Sequence, residues 1–355
     1  MSKNMKATSP LLRLEHIKIE NYKGIDSLEI DFVQPEFNDL PDVTVIGSQN
    51  GLGKTSILEC CALLTITTAF NNEESIRFVN ERLMRDVSKG KISISGNFRQ
   101  GKVSFSRSLI FDPENKYFKV TGKSISKKNK NDNNNEESSS KLFFDENIET
   151  ILGQRHNPLL MEYFLFFNSY RKIQEGYPEL GMLVHKPDKS FLRQRMQETT
   201  ISLFKIEILR SLILDNPLLD QIDKQESREA LQKLNDFLNQ YAGVKIKKLE
   251  PYKDNTIDIL LEHQKSKDIF SFDGLSSGQK EIISTFFLIW LWTRKYPKII
   301  LIDEPELHLN RDWQQTLVND LVKNAPNNQY ILATHSVEVA EAVEPSHRIL
   351  LESTI

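Results

Sequence analysis

Alternating apolar and polar residues open the ordered part of the chain. After ten mostly polar residues that read as frayed, Leu14, Ile17 and Ile19, then Leu28, Ile30 and Phe32, predict two short strands joined by the turn Asn21-Tyr22-Lys23-Gly24. The apolar run 43–46 predicts a buried strand, which leads through a glycine-containing loop into a helix rich in Ile, Leu, Cys and Ala. Ile92, Ile94 and Phe98, then Val103, Phe105, Leu109 and Phe111, recur at period two on either side of Arg99-Gln100-Gly101. That pattern predicts a hairpin with one buried face and makes Gln100 a turn residue.

The run 159–167 reads as a buried strand or helix end, followed by a polar loop through Arg171 and Gln174. From about 190 to 241 the period is helical, with Ile201, Phe204, Ile208 and Leu212 on one stripe and Leu231, Leu234, Leu238 and Tyr241 on another, broken at Asn216-Pro217. Sustained heptads are absent, so this region predicts a short helical arm and no long coiled coil. Strand alternation returns at 244–247 and 257–260. An apolar helix then runs from Gln279 to Trp292 and breaks at 293–297. Two further apolar strands end in Asp303-Glu304 and in His335.

Composition changes this picture in three places. Residues 123–140 hold almost nothing apolar, so they cannot offset their chain entropy and read as a disordered insertion; the basic half is better explained as solvated surface than as a phosphate contact. A net charge of -3 gives no global attraction to nucleic acid, so any such contact would be local or made through a partner. Cys60 and Cys61 are adjacent in an apolar run, which suits neither a structural disulfide nor a metal pair and fits a reducing cytoplasm. The N-terminus has no basic-plus-apolar signal pattern, and the most apolar stretch, 282–292, is about half the ~20 residues of a membrane span. The expectation is a soluble cytoplasmic protein.

Candidate chemistry gathers at the ends of the apolar strands. Strand 43–46 runs into Gly47-Ser48-Gln49-Asn50-Gly51-Leu52-Gly53-Lys54-Thr55-Ser56. Amides freed by Gly51 and Gly53 can wrap phosphates, with Asn50 and Ser56 completing the loop; Lys54 can reach the β- and γ-phosphates, and Thr55 can ligate Mg²⁺. One departure is that strict spacing asks for glycine at Ser48, with Gly47 one place early. Asp303-Glu304 closes a buried strand, where one acid can hold Mg²⁺ and the other can orient or deprotonate water. His308 has no cysteine or histidine partner at zinc-ligand spacing.

Between these stretches lies Leu275-Ser276-Ser277-Gly278-Gln279, at the start of a helix where amides and a hydroxyl can face an anion. Phosphate loop, this pentapeptide, Asp-Glu-Pro-Glu-Leu-His-Leu and a terminal histidine, in that order, resemble ABC-type ATPases of the RecF, SMC and OLD-like group. That group includes the AAA_15- and AAA_21-like ATP-binding proteins of bacterial anti-phage defence. The resemblance implies an α/β, two-lobed P-loop head with an antiparallel β lobe, a mostly parallel sheet flanked by helices, and a short helical insertion. It implies a head split over 11–122 and 244–355, with 141–243 forming the lobe connection and arm.

By the same resemblance ATP and Mg²⁺ are the cofactors. Ser276 and Gly278 would meet the ATP held by a second copy, Asp303 would hold the metal with Thr55, and Glu304 would act on water. His335 would contact the γ-phosphate, Gln174 would be the sensing glutamine, Arg171 would meet phosphate, and Lys23 would approach the nucleotide. Three functions follow from it. The first is an ATPase that closes as a homodimer or higher homo-oligomer to control a separate nuclease or toxin, since no nuclease-like segment follows His335. The second is a RecF-type repair ATPase that binds DNA itself, and the third is a transporter subunit, disfavoured by the first strands and by Glu306 after the proline.

Overall fold

The computed structural model describes residues 11–32, 41–47, 51–69, 74–77, 90–112, 114, 117–122, 159–160, 164–169, 205, 209, 224–254 and 256–351. Ser48, Asn50, the 123–140 segment, Arg171, Gln174 and the stripe residues Ile201, Phe204, Ile208 and Leu212 lie outside the described residues. In chain order come β1 (Leu12–Tyr22), β2 (Ile25–Asp31), β3 (Val43–Gly47), α1 (Lys54–Ile66), β4 (Glu74–Arg77), β5 (Ile92–Gln100), β6 (Val103–Asp112) and β7 (Tyr117–Gly122). They are followed by β8 (Leu159–Leu160), β9 (Phe164–Phe167), α2 (Lys224–Ala242), β10 (Val244–Pro251), β11 (Ile257–His263), β12 (Ile269–Ser271) and α3 (Ser277–Thr293). The last are β13 (Ile299–Asp303), α4 (Arg311–Asn324), β14 (Gln329–Thr334), α5 (Val337–Glu341) and β15 (Arg348–Leu350). No described helix is long and apolar enough to cross a membrane.

The chain divides into two compact units. The first comprises Met1–Arg171, Thr293–Leu307 and Arg311–Ile355; the second comprises Lys172–Trp292 and His308–Asn310. The first contains two six-stranded sheets, ordered β2-β1-β5-β6-β7-β4 and β15-β3-β14-β13-β9-β8. The former is antiparallel throughout; in the latter every pairing is parallel except β8 with β9. Helix α1 shares one hydrophobic cluster with both sheets. Every residue from Ile57 to Ile66 is buried, so α1 is a core helix whose apolar residues face inward all round. Cys60 and Cys61 are free and buried there, and burial pushes both thiols up.

β1 runs the full length from Leu12 to Tyr22, longer than the short strand its pattern predicts. The reason is a bulge: Leu14 pairs with Phe98 and His16 with Asn97, leaving Glu15 as an extra residue. That one-residue slip resets the alternation, so Leu12 and Leu14 before it and Ile17 and Ile19 after it all face the core. The β5–β6 hairpin turns two residues later than its sequence suggests. Arg99 and Gln100 are still paired, with Ser104 and Val103, and the turn is Gly101-Lys102. Gly101 has φ +61, the positive value that a two-residue hairpin turn of type II′ requires at its first position.

In the second unit, α2 buries Ala230, Leu234, Phe237, Leu238 and Tyr241 along one face. It stops where Gly243 turns to φ +66 and donates its N–H to the Asn239 carbonyl. The antiparallel sheet β10-β11-β12 follows, then α3, whose Phe286 meets Phe237 and Tyr241 edge-on at 5.9 and 5.6 Å.

Candidate active site

The parallel sheet of the first unit brings three strand ends together. Asp303 of β13 is in register with Ala333 of β14, and Thr334, the last residue of β14, is in register with Gly47 of β3. Strands buried on both faces expose chemistry only at their ends, so the segments after β3, β13 and β14 share one edge of the sheet.

After β3, Gly51 and Gly53 adopt φ +85 and +83, values that a side chain would strain. Gly53 is also the N-cap of α1, with no side chain to accept from the first-turn amides and no acid in the first turn. The positive end of α1 is thus uncapped from within, which suits an anionic ligand. Lys54 is only 4 % exposed. Burial lowers its pKa, against the nearby charges of Asp303, Glu304 and Glu306, so an anion at its ammonium would be stabilised. Thr55 donates its hydroxyl to Asp303 Oδ2 at 2.9 Å, and Ser56 is half-buried in the same turn. A hydroxyl and a carboxylate this close are the two protein ligands that a hard, oxygen-seeking cation such as Mg²⁺ takes.

Beyond Asp303 the backbone turns sharply. Glu304 has φ +48, unusual for a residue with a side chain, and its N–H donates to the Ala333 carbonyl at 2.8 Å. Its carboxylate lies 3.6 Å from His335 Nε2, while His335 Nδ1 is 3.1 Å from Lys54 Nζ. Lysine, histidine and glutamate therefore form a continuous polar chain between α1 and the end of β13. Glu306 accepts through Oε1 from the His335 and Ser336 amides at 2.7 and 3.2 Å, a contact the sequence does not reveal.

Lys23, expected to approach nucleotide, pairs with an acid of α1. Its ammonium donates to both oxygens of Glu59 at 2.9 Å, and the Tyr22 hydroxyl donates to the same carboxylate at 3.0 Å. The one signal that could have found Glu59 is an acid four residues after Thr55 in an otherwise apolar helix.

In the second unit, Ser276 and Gln279 make a reciprocal capping box at the start of α3. The Ser276 hydroxyl accepts from the Gln279 N–H at 3.3 Å, and the Gln279 side chain accepts from the Ser276 N–H at 3.0 Å. Ser276 and Ser277 remain exposed. Gly278 is buried, and a Cβ there would fall 2.3 Å from the His308 carbonyl oxygen, so no larger residue fits.

Glycine loop, Lys-Thr, core helix and an acid pair at the end of a parallel strand define the class: a P-loop ATPase head. A family model described as "AAA domain, putative AbiEii toxin, Type IV TA system" matches residues 45–341, and the chain belongs to this AAA_21 family. Among curated proteins it is similar to "Retron Vc95 probable ATPase" of Vibrio cholerae serotype O1 biovar El Tor, 25% identical over 94% of this chain and 72% of that protein. It is also 24% identical to "Septu protein PtuA" of Bacillus mycoides, over 96% of this chain but 40% of that longer protein. Its fold is that of the Smc head solved with an extended coiled coil and the C-terminal domain of ScpA derived from Pyrococcus furiosus. The TM-score is 0.54 at 13% identity, covering 94% of this chain and 92% of that one.

Proposed function

We propose that the chain binds and hydrolyses ATP with Mg²⁺ and closes on a second copy around the nucleotide, thereby controlling a separate effector in anti-phage defence. The observation that carries the hydrolytic half is the convergence of Thr55, Asp303, Lys54, His335 and Glu304 at one sheet edge, with Thr55 and Asp303 2.9 Å apart. Bound Mg²⁺ supplies positive charge at the phosphate oxygens, and Thr55 and Asp303 are the residues that would hold it. The amides of Gly51, Gly53 and the first turn of α1, with Lys54, bind the triphosphate; Asn50 and Ser56 belong to the same loop. Glu304 orients the attacking water and takes its proton, and His335 stands between that base and Lys54. Gln174 is kept as the sensing glutamine on resemblance alone.

The dimer half rests on the exposed, capped Ser276 at the start of α3. Its hydroxyl accepts from Gln279, which leaves its proton to donate to an anion. Ser276 and Gly278 would contact the phosphate held by the second copy. The names borne by the relatives, from retron and Septu systems, support defence as the setting; a nuclease or toxin as the partner is proposed on the resemblance alone, and a cytoplasmic location accords with it.

The test is phosphate release per protomer over a wide range of protein concentration, with sedimentation in ATP and in ADP. Specific activity that rises with concentration, together with a paired species in ATP, is the expected result. A rate per protomer that never changes on dilution, with no paired species, would overturn it.

A further inference from the structure

Glu306 is the acid in the site to which nucleotide chemistry gives no task. The turn after β13 is fixed by Glu304 at φ +48 and by the Leu307 N–H donating to the Glu304 carbonyl at 3.1 Å. This turn carries the Glu306 carboxylate back to the end of β14. There Oε1 takes the two amides that follow the strand, those of His335 and Ser336. Two amide bonds to one carboxylate oxygen fix the backbone on both sides of the His335 Cα. The other oxygen, Oε2, is buried without a hydrogen-bond partner among the described residues. A buried oxygen left without a partner carries a desolvation cost, so the carboxylate is held at this place against that cost by its two amide bonds.

The imidazole that Glu306 fixes is the middle of the polar chain. Its Nδ1 is 3.1 Å from Lys54 Nζ and its Nε2 is 3.6 Å from Glu304 Oε1. The first is an ordinary hydrogen-bond distance and the second lies just beyond one, so a small shift of the His335 backbone would lose the first or decide whether the second forms. The Ser336 hydroxyl adds a second tie: it donates to Gln314 Oε1 at 2.8 Å and accepts from the Val339 N–H at 3.2 Å. Those bonds hold the start of α5, and Glu306 holds the residue before it.

We propose that Glu306 is a positioning residue for ATP turnover: it locks His335 between Lys54 and Glu304 and so links the 304–307 turn to the lysine of the phosphate loop. The inference rests on the ATPase reading. It requires that loss of Glu306 impair the chemical step and largely spare nucleotide affinity, because Thr55 and the glycine amides are untouched and Lys54 keeps the larger charge contributions of Asp303 and Glu304.

The test compares wild type, Glu306→Ala and Glu306→Gln by steady-state phosphate release, by binding of a fluorescent ATP analogue, and by histidine ring NMR shifts. Misplacement of a catalytic constellation by about 1 Å costs on the order of 100-fold, so Glu306→Ala should lose about that much in kcat. Affinity for the analogue should stay within about threefold, which is how lost positioning differs from lost binding. The His335 ring signals should shift in Glu306→Ala. Glu306→Gln keeps an oxygen that accepts from both amides and should recover most of the rate. Normal kcat in Glu306→Ala would overturn the proposal. So would parallel loss of affinity and melting temperature, which marks a purely structural residue, or a Gln variant as slow as the Ala variant, which marks a charge acting on the reacting atoms. Absence of turnover in wild type itself would instead remove the ATPase reading, and this inference with it.

Discussion

Replacing Lys23 with methionine separates two tasks for that residue, contact with nucleotide and support of the loop that binds it. Lys23 sits in a turn where Asn21, Lys23 and Gly24 have φ +59, +43 and +88. Asparagine adopts the left-handed region readily, but lysine there costs roughly 1–2 kcal/mol, so something must hold Lys23 in place. The holder is Glu59, which takes the Lys23 ammonium on both oxygens at 2.9 Å and the Tyr22 hydroxyl at 3.0 Å. Just past the turn, Ile25 Cγ1 lies 3.2 Å from where a Cβ on Gly53 would be, so the turn backs the phosphate loop directly. The pair is largely buried, with side-chain exposures of 24% for Lys23 and 7% for Glu59.

Breaking a fully buried pair costs about 3–5 kcal/mol; partial exposure of Lys23 and the retained Tyr22 bond reduce this to about 2 kcal/mol. For a unit of this size that is a fall of about 5 °C in melting temperature. Glu59→Gln added to Lys23→Met should recover about 1 kcal/mol, since the stranded charge is gone and the amide still accepts from Tyr22. Differential scanning fluorimetry and titration with a fluorescent ATP analogue read the two quantities separately. An unchanged melting temperature with tenfold weaker ATP binding in Lys23→Met would refute this reasoning and return Lys23 to the nucleotide.

Three further outcomes are expected. Glu304→Gln should retain ATP and accumulate the paired species in sedimentation, and normal turnover in that variant would remove Glu304 from catalysis. Ser276→Arg loses a helix cap, which costs about 1 kcal/mol; it should bind ATP as a monomer and fail to pair, whereas equal loss of both would mean that the α3 loop does not act across an interface. Burial pushes the Asp42 carboxyl up to about 6 despite the Arg13 guanidinium at 2.8 Å. Between pH 4 and 6 the folded chain therefore keeps a proton that the unfolded chain has released, and stability falls as pH rises through that window, by at most about 3 kcal/mol. Denaturant melts of wild type and Asp42→Asn should diverge across that window, and parallel pH profiles would contradict the assignment.

What could be read from the chain beforehand follows from where its chemistry lies. β3, β13 and β14 are short apolar runs that each end in a loop of polar residues, and a run of that kind announces a buried parallel strand and its functional end together. The phosphate loop, the acid pair and His335 were legible for that reason. The Glu15 bulge was not, because a one-residue slip changes which residues face inward without changing composition. Nor were the Lys23–Glu59 and Glu306–His335 contacts, whose partners are 36 and 29 residues apart and leave no periodic trace. In each case the motif residue was visible and the residue that holds it in place was not.

Gly278 shows the same division within one residue. As part of a pentapeptide opening a helix, it reads as a backbone amide exposed to an anion. The structure supplies a different and sufficient reason for glycine there: His308, itself at φ +60, brings its carbonyl oxygen to 2.3 Å from any Cβ. The glycine is thus required by a close backbone approach whether or not phosphate ever binds, and its presence alone cannot argue for a loop that contacts phosphate. Nor can the presence of Ser276, a preferred cap, but its replacement can, because a serine that only capped α3 would be replaceable by aspartate or asparagine. An added carboxylate would repel a phosphate, while an asparagine amide would still donate to it, so the choice of residue at this cap separates anion contact from helix capping.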